Sequence, residues 1–218
     1  YKRFIKGLWV LAEGAIYDFF VEDIHTATLA YIKKHFIPDC FIVAVDYGTG
    51  GVTSFILFGI SYNPASKWKI VALKEYVYDA EKKGRQQTDL EFAQEMKTWL
   101  GARIVPMCII VDPSANSLQL QLRRDPFNYN VLDAENSVLD GLRKQATMLK
   151  HGEYILCREG CPRTIQDYSG YIWDKKAQLQ GEDAPAPGPC EHTKDTERYA
   201  IYTMFGGKIL DLRALTTL

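Results

Sequence analysis

Two short runs along the chain share one pattern: unbroken apolar residues that end in an aspartate. Residues 41–46 read FIVAVD and lead into the glycine-rich turn YGTGG at 47–51; residues 107–112 read MCIIVD, and Pro113 then removes the next backbone donor. A continuous apolar run closed by turn residues predicts a strand buried on both faces. The runs 52–62 (VTSFILFGISY) and 68–78 (WKIVALKEYVY) also read as strands, parted by the turn formers Asn63, Pro64 and Ala65. Together with the first run they predict an antiparallel meander. Thr88 is placed to cap a helix over 88–102, with Leu90, Phe92, Ala93, Met96 and Leu100 roughly at helical spacing and a stop at Gly101. Beyond Asp112 the pattern gives a helix at 114–124, a short strand at 130–133, an amphipathic helix at 137–150 and a short strand at 154–157. A strand meander followed by alternating helices and strands predicts an α/β fold, a mixed sheet with helices packed on it.

The two ends are less regular. Residues 1–26 are rich in aromatics and match no single period, so residues 1–30 are read as a linker and strand segment that packs on a core spanning 31–218. The first residue is Tyr1 rather than Met, as expected for a fragment of a longer protein. Residues 163–174 put Ile165, Tyr168 and Ile172 on one helical face, whereas proline alternates with small residues at 181–192 (GEDAPAPGPCEH), which predicts a flexible loop. A last helix is expected from near Thr193. In it His192, Asp195 and either Arg198 or Tyr199 are three or four residues apart and share a face, so Asp195 can face the sheet as a third carboxylate.

Composition sets limits without choosing a function. The 218 residues are 47% hydrophobic and 24% charged with a net charge of -1, enough for one large soluble domain and no bulk attraction to nucleic acid. Any polyanion must therefore meet local basic patches or bound metal. Cysteines number five, an odd count, with Cys40 and Cys108 inside apolar runs, and no signal peptide or membrane-length apolar stretch is present, which together suggest a reducing compartment.

The chemistry begins with the two strand-end aspartates. A carboxylate at the end of a hydrophobic strand carries a desolvation cost unless a cation or several donors compensate it. One such Asp is an ordinary turn cap; two on neighbouring strands roughly 5 Å apart can share divalent cations. Phosphodiester hydrolysis needs an acidified water and a neutralised leaving oxygen, and two hard cations such as Mg²⁺ or Mn²⁺ held by oxygen donors supply both. Isolated His25 and His35 read as structural or solvated.

The layout of these acids is that of the ribonuclease H-like nucleases: one on the opening strand of a meander, one ending the fourth strand, one on a late helix. More specifically, GLWVLAEGAIYD, VAVDYG, IIVDPSA, YSGYIWD and HTKDTERYAIY resemble the C-terminal nuclease domain of the large terminase subunit of tailed bacteriophages. The resemblance covers nearly the whole chain, and residues 181–191 depart from it. It implies a ribonuclease H-like mixed sheet of five or more strands, with an antiparallel meander and flanking helices. It also implies a metal-dependent endonuclease that cuts double-stranded DNA with little sequence specificity during viral genome packaging. Asp46, Asp112 and Asp195 would be the metal-binding acids, Asp46 bridging two Mg²⁺ or Mn²⁺ ions, and His192 the accessory histidine, a ligand or a proton carrier. The chain has no GxxxxGK(S/T) motif, so the packaging ATPase would be an upstream domain; portal and small terminase subunit are the implied partners, and the host cytoplasm the implied location.

Three alternatives remain open on the residues. VDYGTGG also resembles the first phosphate loop of actin-like ATPases and sugar kinases, although no second copy is found. Cys157, Cys161, Cys190 and His192 could build a zinc-stabilised DNA-binding or docking module. Resolvase and transposase cores share the same acids. For DNA contact the strongest of several basic pairs is Lys82 and Lys83 with Arg85, expected at a hairpin tip.

Overall fold

The computed structural model describes residues 14–48 and 51–206. Residues 1–13, which hold half of the aromatic N-terminal segment and most of its GLWVLAEGAIYD motif, lie outside the described residues, as do Thr49 and Gly50 of the glycine-rich turn and residues 207–218. In chain order the elements are α1 (Glu22–His25), β1 (Thr26–Ala27), α2 (Leu29–His35), β2 (Cys40–Asp46), β3 (Val52–Ile60), β4 (Ile70–Asp79), α3 (Ala80–Lys83), α4 (Asp89–Leu100), β5 (Cys108–Val111), α5 (Asn116–Arg123), β6 (Val131–Asp133), α6 (Val138–Lys150), β7 (Tyr154–Cys157), α7 (Pro162–Asp167), α8 (Lys175–Leu179) and α9 (Glu191–Phe205).

The described strands form one seven-stranded mixed sheet in the order β1-β7-β4-β3-β2-β5-β6. Its centre is the expected antiparallel meander β2–β3–β4; β5 runs parallel to β2, β6 to β5, and β7 to β4. β1 pairs with β7, so the segment around residues 26–27 extends the sheet itself. Because successive strand residues point to opposite faces, the apolar runs divide into two large cores, beside a smaller cluster of Val71, Ile155 and Cys157 with Ile32 of α2. Ile42, Ala44, Cys108 and Ile110 pack with Leu142 and Met148 of α6 and Tyr199 and Ile201 of α9. Val43, Val45, Ile109 and Val111 pack with Phe92 and Met96 of α4 and Leu118 and Leu122 of α5.

Local signals account for the element ends. The Thr88 hydroxyl accepts from the Glu91 amide while the Glu91 carboxylate accepts from the Thr88 amide, a capping box that starts α4. Three expectations need correction. The helix predicted over 163–174 stops at Asp167: Ile172 lies in a bridge with Ala15, and Trp173 donates to the Gly14 carbonyl at 3.1 Å, pairings that an extended backbone alone can make. The last helix starts at Glu191, earlier than Thr193. Lys82 and Lys83 lie in the helical turn α3, with Gly84 left-handed after it (φ 64°), because β4 runs on into helices and not into a hairpin partner.

Candidate metal centre

Strand alternation aims the two aspartates before any side chain is considered. Val45 of β2 pairs with Val111 of β5 in parallel register, so Asp46 and Asp112 are the next residues out on adjacent strands. Both share the parity of Ile42, Ala44, Cys108 and Ile110, and so face the side covered by α9. That helix packs across β2, β3 and β5 and carries His192 and Asp195 toward the same end. The Ser54 hydroxyl of β3, opposite Asp46 in the ladder, donates to the His192 carbonyl at 3.2 Å and so ties the start of α9 to the sheet.

Each acid has a partner from α9. His192 Nδ1 lies 2.7 Å from Asp46 Oδ2, and this hydrogen bond, working against burial, raises the imidazole above its ordinary pKa. The Tyr199 hydroxyl donates to Asp112 Oδ2 at 2.9 Å, and the Ser114 amide donates to Oδ1 at 2.7 Å. Burial raises the Asp112 carboxyl, but hydrogen bonds from Ser114, Tyr199 and Asn136 outweigh it and hold it below the usual range. Arg198 pairs with Asp195 Oδ1 at 2.8 Å. Burial nevertheless lifts the Asp195 carboxyl to about 6; Arg198 opposes the rise, and the charges of Asp46 and Glu191 add to it. The Tyr199 hydroxyl is pushed far above its normal value, first by burial and then by Asp195, Asp46 and Asp112, so all three acids act on one side chain.

The donor set suits a hard divalent cation. Three carboxylates supply oxygen ligands, and like charges coupled through a buried space are the arrangement a cation relieves. Among the described residues no group of three or more His, Cys, Asp and Glu side chains is gathered closely enough to hold a metal ion as it stands, and each acid is turned onto its own α9 partner. The same observation bears on the zinc alternative: Cys157 and Cys161 are buried thiols, and His192 turns to Asp46 instead of joining them. His25 is buried, bonded to the Val21 backbone and stacked on Phe20, a structural role.

The sequence did not mark what holds α9 in place. Lys194 is fully buried, donates to the Thr164 carbonyl at 2.8 Å, pairs with Glu197, and lies over the Tyr168 ring. The other oxygen of Glu197 accepts from Tyr154 at 2.5 Å and from Tyr168 at 2.7 Å. EHTKDTER reads as a solvated stretch by composition; the i,i+3 spacing of Lys194 with Glu197, and of Asp195 with Arg198, was the available signal. Removing one member of a buried pair leaves an uncompensated charge, so Lys194→Met is expected to destabilise the chain by about 3–5 kcal/mol, and adding Glu197→Gln to recover much of that. Urea unfolding of the single and double variants measures it.

No protein-family model matches the chain, and no curated protein matches it. Solved structures do. The large terminase of a thermophilic bacteriophage, in complex with ADP, is 35% identical over 94% of this chain, with a TM-score of 0.77. The P22 large terminase nuclease domain gives a TM-score of 0.65 at 15% identity, covering 89% of this chain and 94% of that one. The fold is that of a large-terminase nuclease domain. The corresponding domain of bacteriophage SPP1, with bound Mn, is 18% identical over 81% of this chain and 90% of that domain, with a TM-score of 0.51. The ribonuclease H-like terminase resemblance read from the sequence therefore stands. This chain spans 48% of the first of these terminases. No described helix is long and apolar enough to cross a membrane.

Proposed function

We propose that the chain is a metal-dependent endodeoxyribonuclease that cuts double-stranded DNA with little sequence specificity during viral genome packaging. The observation that carries this reading is the convergence of Asp46, Asp112 and Asp195 at one edge of a terminase-type sheet. Two divalent cations, Mg²⁺ or Mn²⁺, held by these carboxylates would supply an acidified water and a counter-charge for the leaving oxygen. The Mn bound to the SPP1 domain supports that choice of metal. Asp46 ends the strand beside that of Asp112 and its charge acts on Asp195, so it would be the ligand shared by the ions. Ser114 and Tyr199 fix Asp112, and His192, on Asp46, is placed to carry a proton or join the ligand set.

The longer terminase similar to this chain, in complex with ADP, supports an upstream ATPase domain as its natural neighbour; portal and small terminase subunit as further partners, and the host cytoplasm as location, are part of the same proposal. The test is plasmid cleavage by purified chain. Mn²⁺- or Mg²⁺-dependent nicking that chelation abolishes is expected; metal-independent cutting, or no cutting with either ion, would overturn the proposal.

The DNA approaches along the edge that holds α3, since Val52 pairs with Asp79 beside the turn after Asp46. Lys82 is paired with Asp79 and Arg85 with Glu91, while Lys83 is exposed with no ion-pair partner among the described residues. Lys82→Glu with Lys83→Glu is expected to weaken DNA binding about tenfold at low salt and to reduce the salt slope by roughly 1–2, Lys83 contributing the larger share. Fluorescence anisotropy against salt checks it; an unchanged slope would remove α3 from the DNA path.

A further inference from the structure

Arg198 lies one turn after Asp195 on α9, and its side chain is 3% exposed. Its Nη2 reaches Asp195 Oδ1 at 2.8 Å, its Nη1 donates to the Asn136 carbonyl at 2.7 Å, and its guanidinium carbon is 4.9 Å from the Tyr199 ring centroid. A cation is buried this deeply only when its charge is paired and its donors are used. The space for it comes from α6. A Cβ at Gly141 would lie 2.5 Å from Arg198 Cγ and 2.8 Å from Cδ, so any larger residue there displaces the stem. Glycine inside a helix is unfavourable relative to alanine, and at this position the passage of Arg198 is the packing reason for it. The guanidinium is thus fixed at both ends, by the Gly141 slot along its stem and by Asn136 at its tip. Nε at 3.3 Å and Nη2 at 2.8 Å both meet the one oxygen Oδ1, so two donors of the planar guanidinium hold that oxygen in place, as a single rotating ammonium does not.

We propose that Arg198 is a positioning residue of the metal centre: seated in the Gly141 slot and anchored on Asn136, it fixes the Asp195 carboxylate for its role as a cation ligand without itself touching metal or DNA. This rests on the functional reading above. It differs from simple helix stapling, because a staple would support the fold without affecting how the folded chain binds metal.

The experiment is a cycle on the full chain: wild type, Arg198→Gln, Asp195→Asn, the double variant, and Arg198→Lys. Two readouts are used, thermal melting without metal and Mn²⁺ affinity by electron paramagnetic resonance. Arg198→Gln is expected to lower the melting temperature and to weaken Mn²⁺ binding about tenfold or more. Arg198→Lys restores part of the melting temperature and less of the affinity. The double variant melts above Arg198→Gln, because the unpaired buried carboxylate is gone, and binds Mn²⁺ as Asp195→Asn does. Wild-type affinity in Arg198→Gln, or losses that simply add in the double variant, would overturn the proposal. If Arg198→Gln does not fold, Gly141→Ala carries the same test, since it presses on the stem and keeps the charge: weaker Mn²⁺ binding in a folded chain supports the proposal, and unchanged binding overturns it. A wild-type chain that binds no Mn²⁺ contradicts the functional reading and the ligand role with it, while the melting cycle separately decides the Arg198–Asp195 tie.

Discussion

Asp46→Ala is expected to reduce metal-dependent plasmid cleavage by on the order of 10³-fold or more while the chain stays folded. Asp46 ends β2 beside Asp112 on the adjacent strand, and it is the partner of the His192 ring at 2.7 Å. Carboxylates held together without a cation repel, which predicts that deleting one relieves strain. The structure adds an opposing effect, because deletion also strips His192 of its acceptor. That pair is partly exposed, 29% for His192 and 15% for Asp46, and is worth at most about 1 kcal/mol. The two effects offset, so unfolding free energy should change by no more than about 1 kcal/mol. Because the pair raises the His192 pKa, its stabilisation is present below the ordinary histidine value and is lost as pH rises through the raised one. Cleavage assays and urea unfolding together check the prediction. A large loss of stability with unchanged cleavage would make Asp46 a structural cap.

Asp195→Asn should lower cleavage by on the order of 10²–10³-fold, whereas Asp183→Asn should leave it nearly unchanged. Asp195 is held on a helix packed against three strands, while Asp183 is exposed on the proline-rich segment between α8 and α9. Glu182 is exposed on the same segment, and Glu191 only starts α9. The metal-free chain gives a second readout. Burial lifts the Asp195 carboxyl from 3.8 to about 6, so in the folded state the proton is held more tightly than in the unfolded state. The stability this contributes is present below about pH 4 and lost as pH rises through about 6. Relative to Asp195→Asn, the wild type should therefore lose up to about 2–3 kcal/mol across that window. Urea unfolding at several pH values measures the difference. Parallel pH profiles, or a cleavage loss in Asp183→Asn in place of Asp195→Asn, would contradict the assignment.

Most of the architecture was legible because its strands are buried on both faces and so appear as unbroken apolar runs, as at 41–45 and 107–111. Strand parity and helical spacing then carried Asp46, Asp112, His192 and Asp195 to one edge of the sheet. What the sequence hid were interactions that depend on three-dimensional partners. Tyr199, legible only as a neighbour on the face of His192 and Asp195, donates to Asp112; Lys194 and Glu197, polar by composition, are buried because α7, β7 and the sheet close around them. The segment 168–174 keeps helical spacing in its apolar residues, yet its backbone is claimed by pairing with residues 14–16, a long-range contact no local pattern contains. Lys82 and Lys83 ended in a helical turn for the same reason: the fate of a strand end depends on what it next packs against.

On the proposed function, Asp46, Asp112 and Asp195 hold divalent cations. Anomalous diffraction from crystals of the chain soaked in Mn²⁺ tests it most directly. Two Mn²⁺ ions roughly 3.5–4 Å apart are expected, both bound by Asp46, one also by Asp112 and the other by Asp195, with both peaks lost in Asp46→Ala crystals. Mn²⁺ absent from Asp46, or bound only at other side chains, would contradict it.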